Sequence, residues 1–161
     1  MAVRGLRRGV EVRAAAPADV AGIAALLRQL EYAADPRAVL ARLEAAEERP
    51  NNAVLVAGDG GPAVGLIAVH WWSDLRHDRA VARVSLLVVD VDERRRGLGR
   101  LLLRAGAQAA RAAGCGELEL ALPNLDDSGE GFANALGFTR VGTLLRRSLR
   151  KRAAGAAEDG P

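Results

Sequence analysis

The chain has 161 residues, half of them hydrophobic and 27% charged, which is the composition of one globular domain rather than of a disordered chain. Aromatic residues make up only 3%, which argues against a base-stacking nucleic-acid module, and the apolar runs are too short for a membrane-spanning helix. The two ends carry eight of the 23 basic residues and two of the 20 acidic ones, so residues 10–145 have a net charge of −3 and no basic face for nucleic acid.

The N-terminus holds three arginines but lacks the apolar stretch of a signal peptide, and the chain has one cysteine and two histidines. A disulfide within the chain is therefore excluded, and a His/Cys metal site is not expected. We expect a cytoplasmic protein that binds no metal, no membrane and no nucleic acid. We also expect a flexible segment over residues 1–9, one domain over 10–150 and a disordered tail over 151–161, which lacks an apolar face.

The first half of the chain predicts an alternation of strands and helices. Its β-type patterns predict strands over residues 10–13, 53–57 and 63–72, the last two joined by a tight turn. Apolar residues at three- and four-residue steps predict a helix over 20–30, with Pro17 and Asp19 at its start. Asp35-Pro36 opens a second helix that ends at Pro50.

The second half of the chain also predicts a mixture of strands and helices. Strands are expected over residues 81–91, 117–122, 138–141 and 143–149. Helices are expected over 99–113 and 126–136, each followed by a glycine. Residues 81–91 are apolar on both faces, so we expect a central strand that is covered on both sides. The whole order of elements predicts one α+β (mixed α/β) sheet domain.

The segment that points to chemistry is the junction after this central strand. The strand runs into a loop with three arginines and two glycines, Arg94-Arg95-Arg96-Gly97-Leu98-Gly99, and an apolar helix starts at once. Glycine permits a positive φ, and the amides of such a turn can converge on one concavity. The first amides of the helix lack helical partners, and its dipole adds positive charge. The junction therefore predicts a phosphate or pyrophosphate site, although neither a P-loop nor a G-x-G-x-x-G motif is present.

This junction resembles the motif of the GNAT N-acetyltransferase superfamily, R/Q-x-x-G-x-G/A after a strand of type L-x-V. Here Leu87-Val88-Val89 lead into Arg94-x-x-Gly97-x-Gly99, and Leu136-Gly137-Phe138 is similar to the L-G-F that ends the family's last helix. Asn124 stands where the family often has Asn. The resemblance covers residues 10–149. It implies a mixed, mostly antiparallel sheet of six or seven strands, splayed between the fourth and fifth strands and flanked by about four helices.

The resemblance also implies a reaction. Acetyl-CoA would be the cosubstrate, and its acetyl group would pass to a primary amine of a small molecule or peptide by direct attack in a ternary complex. The cofactor-binding residues it implies are Leu87, Val88, Val89, Arg94, Arg95, Arg96, Gly97, Leu98, Gly99, Arg100 and Asn124. Loop amides would hold the pyrophosphate, and the amide of Val89 would polarise the thioester carbonyl. Dimers are common in the family, so a homodimer is also open.

The sequence departs from the family pattern at the general acid. Many members read F-Y-x-x-L-G-F, but here Ala133 follows Phe132 at the tyrosine position. Ser128 and Ser85 are the candidate substitutes. The missing tyrosine favours an alternative, a CoA- or acyl-CoA-binding regulatory domain with little or no catalysis. A third alternative is an interaction module that binds acidic partners through the basic ends of the chain.

The acceptor is not identified by any motif and depends on loops around residues 30–37 and 71–80. Some polar and aromatic residues could bind the acceptor or assist its reaction, and for each of them a purely structural role is the alternative. These residues are His70, His77, Trp71, Trp72, Asp74, Asp78 and Glu119. The histidines could serve as a base, the carboxylates could bind a cationic amine, and one tryptophan is expected in the core. Cys115 lacks a His-Asp arrangement and is expected to be a small buried residue.

Overall fold

The computed structural model describes residues 3–4, 9–121 and 127–149, with the backbone alone for 3–4 and 127–128. The described strands form one sheet in chain order: β1 (Val3–Arg4), β2 (Glu11–Ala14), β3 (Asn52–Gly58), β4 (Gly65–Trp72), β5 (Val81–Val89) and β6 (Glu117–Leu120). The described helices are α1 (Val20–Gln29), α2 (Pro36–Glu47), α3 (Leu98–Ala112) and α4 (Asp127–Ala135). Neighbouring strands are antiparallel, except that β5 and β6 are parallel. This architecture confirms the predicted α+β fold.

The sheet separates two hydrophobic clusters. On one face, Ile67, Val69 and Val84 belong to a cluster that includes the buried leucines of α3. On the other face, Leu66 and Val88 belong to a cluster with the apolar sides of α1 and α2. Strand β5 therefore contributes buried residues to both faces, which confirms that it is a central, covered strand.

The start of α1 is fixed by a buried carboxylate. Asp19 is 5% exposed, and it accepts hydrogen bonds from Arg13 Nη1 at 2.6 Å, from Arg13 Nη2 at 2.8 Å and from the backbone amide of Ala16 at 2.8 Å. The side-chain hydrogen bond from Arg13 lowers the pKa of Asp19, and the amide of Ala16 lowers it further against the opposing effect of burial. The contact ties β2 to the helix that follows it.

Replacement of this carboxylate should lower stability in a pH-dependent way. We expect Asp19→Asn to cost about 1–3 kcal/mol of unfolding free energy at pH 7, because it removes a charged acceptor from three hydrogen bonds. The folded pKa of Asp19 lies below its unfolded value, so this contribution is present at neutral pH and is lost as the pH falls below about 4. Urea unfolding at pH 7 and pH 3 measures both values. The exposed Asp59→Asn is the control, and an equal loss in the two variants would contradict the assignment.

Helix α1 lies unusually close to the turn between β3 and β4. A Cβ at Gly22 would lie 2.8 Å from the backbone nitrogen of Ala63 and 3.2 Å from its Cβ. Backbone atoms cannot rotate away from such a contact, so a side chain at position 22 would push the helix off the turn.

This contact predicts an inverted response to helix propensity. Alanine favours helix over glycine, yet we expect Gly22→Ala to destabilise the fold by about 1–3 kcal/mol. Gly131 in α4 has no atom within 4 Å of its Cβ position, so Gly131→Ala should be neutral or stabilising by up to about 1 kcal/mol. Thermal unfolding of both variants checks the difference, and a stabilised Gly22→Ala would contradict the packing described.

The two C-terminal strand predictions, over 138–141 and 143–149, are wrong in this structure. Residues 138–149 have no regular secondary structure, and four of their apolar side chains are between 60% and 92% exposed: Val141, Leu144, Leu145 and Leu149. An alternating pattern forms a strand only beside a neighbour, and no described strand pairs with this segment. Conversely, β1 forms from Val3–Arg4, which the local pattern does not predict.

The predicted tail over 151–161 lies outside the described residues, as does most of the segment predicted to be flexible over 1–9. Within the described ranges, no helix combines the length and hydrophobicity needed to cross a bilayer. The helix and strand positions over residues 10–120 otherwise agree with the sequence patterns, with ends that differ by a few residues.

Candidate cofactor site

Strands β5 and β6 separate partway along their length. They pair from Val81 to Val84, and the last contact among the described residues is the amide of Ala121 to the carbonyl of Val84 at 3.0 Å. A bulge lies at the same place, because Val84 pairs with Val69 while Leu86 pairs with Ala68, which leaves Ser85 as the extra residue. From there to its end, β5 pairs only with β4 among the described strands. This is the expected splay, because β5 and β6 correspond to the fourth and fifth strands predicted from the sequence, 81–91 and 117–122.

The open side of β5 presents backbone groups from alternate residues. The amide of Asp90 donates to the carbonyl of Val64 at 2.9 Å, so Asp90 faces the β4 side. Backbone groups alternate in direction along a strand, so those of Val88 also face β4, while those of Leu87 and Val89 face the splay. Of the three strand residues implied as cofactor contacts, Leu87 and Val89 therefore have polar backbone groups on the open edge, and Val88 does not.

Gly97 turns the chain from the loop into α3. Its φ is +83° and its ψ is 1°, a left-handed conformation that glycine adopts without a Cβ clash. The first intrahelical bond runs from the amide of Leu101 to the carbonyl of Gly97 at 3.0 Å. The amides of Leu98, Gly99 and Arg100 precede it and have no carbonyl within the helix to accept them. The positive end of the dipole of α3 coincides with these amides.

The loop arginines differ in their surroundings, although Arg94, Arg95 and Arg96 are all exposed. Arg94 Nε donates to the carbonyl of Val89 at 3.2 Å, so it reaches back to the open edge of β5. Arg96 pairs with Glu93 at 3.1 Å. Arg95 has a φ of +60°, a strained conformation for a residue with a Cβ that costs about 1–3 kcal/mol. These positive charges and the helix dipole together favour an anion at the junction.

Two further implied contacts sit on α3. Leu98 is buried and anchors the first turn in the core, while Arg100 is exposed. A Cβ at Gly99 would lie 3.3 Å from Cζ of Phe132, so the first turn of α3 packs against α4. Asn124 lies outside the described residues, so the structure does not test its contact.

The face of the sheet away from α3 carries a polar group beside the splay. The guanidinium of Arg83 bonds Glu119 Oε2 through Nε at 2.7 Å and through Nη2 at 2.6 Å, and it lies 4.9 Å over the ring of Trp72. His70 pairs with Arg83 across β4 and β5. His70 is exposed at its surface, yet partial desolvation lowers its pKa and the charge of Arg49 lowers it further, which favours the neutral imidazole.

Several other candidate residues pack in the core or form ion pairs on the surface. Trp71 packs against the cluster that includes α3, which confirms that one tryptophan contributes to the core. Asp74 bonds Arg76 at 2.7 Å and lies 3.5 Å from His77. Cys115 is a buried free thiol whose pKa is raised by burial, as expected for a small buried residue. Asp78 is exposed. No group of three potential metal ligands occurs among the described residues.

The general acid has no clear substitute. Ala133 is 5% exposed on α4, so a buried methyl group occupies the position of the expected tyrosine. Ser85 is exposed at the bulge of β5. The side chain of Ser128 lies outside the described part of the chain, so its proposed role is untested.

One contact to the loop was not predicted. Gln29, the last residue of α1, donates from Nε2 to Asp90 Oδ2 at 2.9 Å and accepts from the amide of Val91 at 3.2 Å. Its partners are 61 and 62 residues away in sequence, so no local pattern signals the contact.

Comparison with known proteins identifies a sequence family and a number of similar solved structures. The sequence model of the acetyltransferase (GNAT) family matches residues 20–138. An acetyltransferase from Trypanosoma brucei is 26% identical with a TM-score of 0.73, covering 87% of this chain and 99% of its own. A transcriptional regulator from Bacillus halodurans is 19% identical with a TM-score of 0.80, over 87% and 99% of the two chains. No curated protein sequence matches the chain.

A further similar structure was solved with CoA. It is an aminoglycoside N-acetyltransferase, 20% identical with a TM-score of 0.75, and the match covers 89% of this chain and 95% of the other. Likeness at this identity concerns the fold alone, whereas the family model spans most of the chain, including β5, the glycine-bearing loop and α3. The chain therefore belongs to the GNAT acetyltransferase family.

Proposed function

We propose that this protein transfers the acetyl group of acetyl-CoA to a primary amine of a small molecule or peptide, by direct attack in a ternary complex. The observation that carries the proposal is the junction of β5 and α3, where a left-handed Gly97 sets three amides at the positive end of a helix beside exposed arginines. This arrangement suits the diphosphate of CoA, since a diphosphate needs several donors and a positive potential together. Membership of the family supports the same cofactor.

The open edge of β5 suits the rest of the cofactor. The pantetheine arm carries amides that can pair with the backbone of Leu87 and Val89 as an added strand would. The amide of Val89 would then face the thioester carbonyl and stabilise the negative charge that develops on its oxygen. The carbonyl of Val89 already accepts from Arg94 Nε, which limits how far this end of the strand can move.

The chemical step needs few side chains. The amine nitrogen bonds the thioester carbon, the carbon–sulfur bond breaks, the nitrogen loses one proton and the thiolate gains one. Positioning supplies much of the rate, because both reactants are held against one edge. A neutral His70 can take a proton through water, and Ser85 at the splay is a candidate donor to the thiolate. Trp72, Arg83 and Glu119 would line the acceptor side.

A second candidate function is a CoA-binding regulatory domain without turnover. The buried methyl group of Ala133 favours it, because this position offers no proton donor for the leaving thiolate. The two functions share the cofactor site and differ only in catalysis.

Binding of CoA should depend on the backbone of Gly97. Gly97→Ala places a Cβ in a left-handed residue, so the loop relaxes and its amides lose alignment; we expect the Kd for CoA to rise about tenfold or more. Gly114 ends α3 with a φ of +84° and no neighbour within 4 Å, so Gly114→Ala carries the same backbone strain away from the junction. Titration calorimetry compares them. Equal affinities in the two variants would contradict the proposed diphosphate site.

Turnover should separate the two candidate functions. With acetyl-CoA and a panel of amines, an acetyltransferase releases free CoA thiol at a rate that depends on the amine, whereas a regulatory domain binds acetyl-CoA without acceptor-dependent release. We expect acceptor-dependent release, and we expect Gly97→Ala to raise the KM for acetyl-CoA. A thiol-reactive chromophore follows the reaction. Binding without release across peptides, polyamines, amino acids and aminoglycosides would favour the regulatory domain.

A further inference from the structure

We infer that Gln29 is a positioning residue that holds the diphosphate loop in its binding conformation; this inference rests on the proposed function. The side chain lies at the end of α1, and its amide group joins two residues at the exit of β5. Nε2 donates to Asp90 Oδ2 at 2.9 Å, and Oε1 accepts from the amide of Val91 at 3.2 Å. Each end of the amide therefore meets a partner of the matching kind.

The contact extends into the loop through Asp90. The other carboxylate oxygen of Asp90, Oδ1, accepts from the amide of Asp92 at 3.0 Å and begins the short 3-10 turn over Val91–Glu93. The backbone amide of Asp90 donates to the carbonyl of Val64, the residue directly before β4. Gln29 thus contacts the point at which the chain leaves the sheet, directly before Arg94 and the left-handed Arg95.

Hydrogen bonds rather than packing determine the shape of this loop. Asp92, Arg94, Arg95 and Arg96 are exposed, and Val91 is 58% exposed, so little apolar surface is buried between β5 and Leu98. A loop of this kind samples other conformations when its polar contacts are removed. Ligand affinity falls in proportion to the fraction of molecules with the binding conformation. Gln29 would therefore raise the affinity for CoA without touching the cofactor.

The donors and acceptors of the contact can be exchanged, which gives a sharp test. Gln29→Glu sets two carboxylates against each other. Asp90→Asn sets two amide groups against each other. If Gln29 keeps its orientation, its Nε2 donor meets the new NH2 donor at position 90; if it turns over, Nε2 meets the amide of Val91, which is also a donor. The double variant can form all three hydrogen bonds again, because the side-chain amide donor moves from position 29 to position 90 and the carboxylate moves the other way. It also has the net charge of the native chain. A long-range charge effect would make Asp90→Asn bind the anionic CoA more tightly, because this variant loses a negative charge. Weaker binding in both single variants, with recovery in the double variant, is therefore specific to the hydrogen bonds.

We expect each single variant to raise the Kd for CoA about 5- to 30-fold and the double variant to return to within about threefold of the native protein. Titration calorimetry gives the Kd values, and equal thermal midpoints show that the variants are folded. Gln108→Glu, on the exposed side of α3 about three turns from Gly97, makes the same change of charge and should leave the Kd nearly unchanged. Native affinity in both single variants, or a double variant as weak as the product of the singles, would overturn the inference.

Failure of the proposed function gives a different result. If the native protein binds no CoA, the proposed cofactor is wrong whatever Gln29 does. Amide hydrogen exchange in the free protein then decides the positioning role alone. We expect residues 91–97 to exchange faster in each single variant and at the native rate in the double variant, while β3 is unchanged. Exchange over 91–97 that is the same in all variants would overturn that role.

Discussion

The left-handed backbone at Gly97 is the constraint on which the proposed cofactor site depends. It lets the chain leave an exposed loop and enter α3 within one residue, so the free amides of the first helical turn follow closely after β5, the strand from which β6 diverges. A residue with a Cβ would resist this conformation, and the amides would no longer converge. The same turn also brings Leu98 into the core, so the site and the fold share one backbone geometry.

The separation of β5 and β6 supplies the second part of the proposed cofactor site, an open strand edge. The bulge at Ser85 and the last contact at Val84 lie at the same level of β5, so the strand changes which backbone groups it presents at the point where its neighbour leaves. An unpaired strand edge normally invites aggregation or a partner strand. Here the edge begins inside the sheet and ends at a positively charged turn. An extended ligand with a polar arm and an anionic end matches both features.

Most of the fold could be predicted because its signals are local. Helical periodicity, strand alternation and glycine turns identify the elements over residues 10–120, and the motif from Arg94 to Gly99 identifies the junction. Long-range contacts give no such signal: Gln29 meets Asp90 only through the tertiary structure. The same limit explains the error over 138–149, since an apolar alternation predicts a strand but not the neighbour that it needs. The general acid could not be predicted either, because Ala133 removes the one residue type that would have marked it.

The central claim is that backbone amides at this junction bind the diphosphate of CoA. Amide NMR of the isotope-labelled protein, titrated with CoA and with pantetheine, tests it most directly, because pantetheine has the polar arm but no diphosphate. We predict that CoA shifts the amide signals of Leu98, Gly99 and Arg100, whereas pantetheine shifts those of Leu87 and Val89 and leaves the helix start unchanged. Equal shifts at Leu98–Arg100 with both compounds, or none there at saturating CoA, would contradict the account.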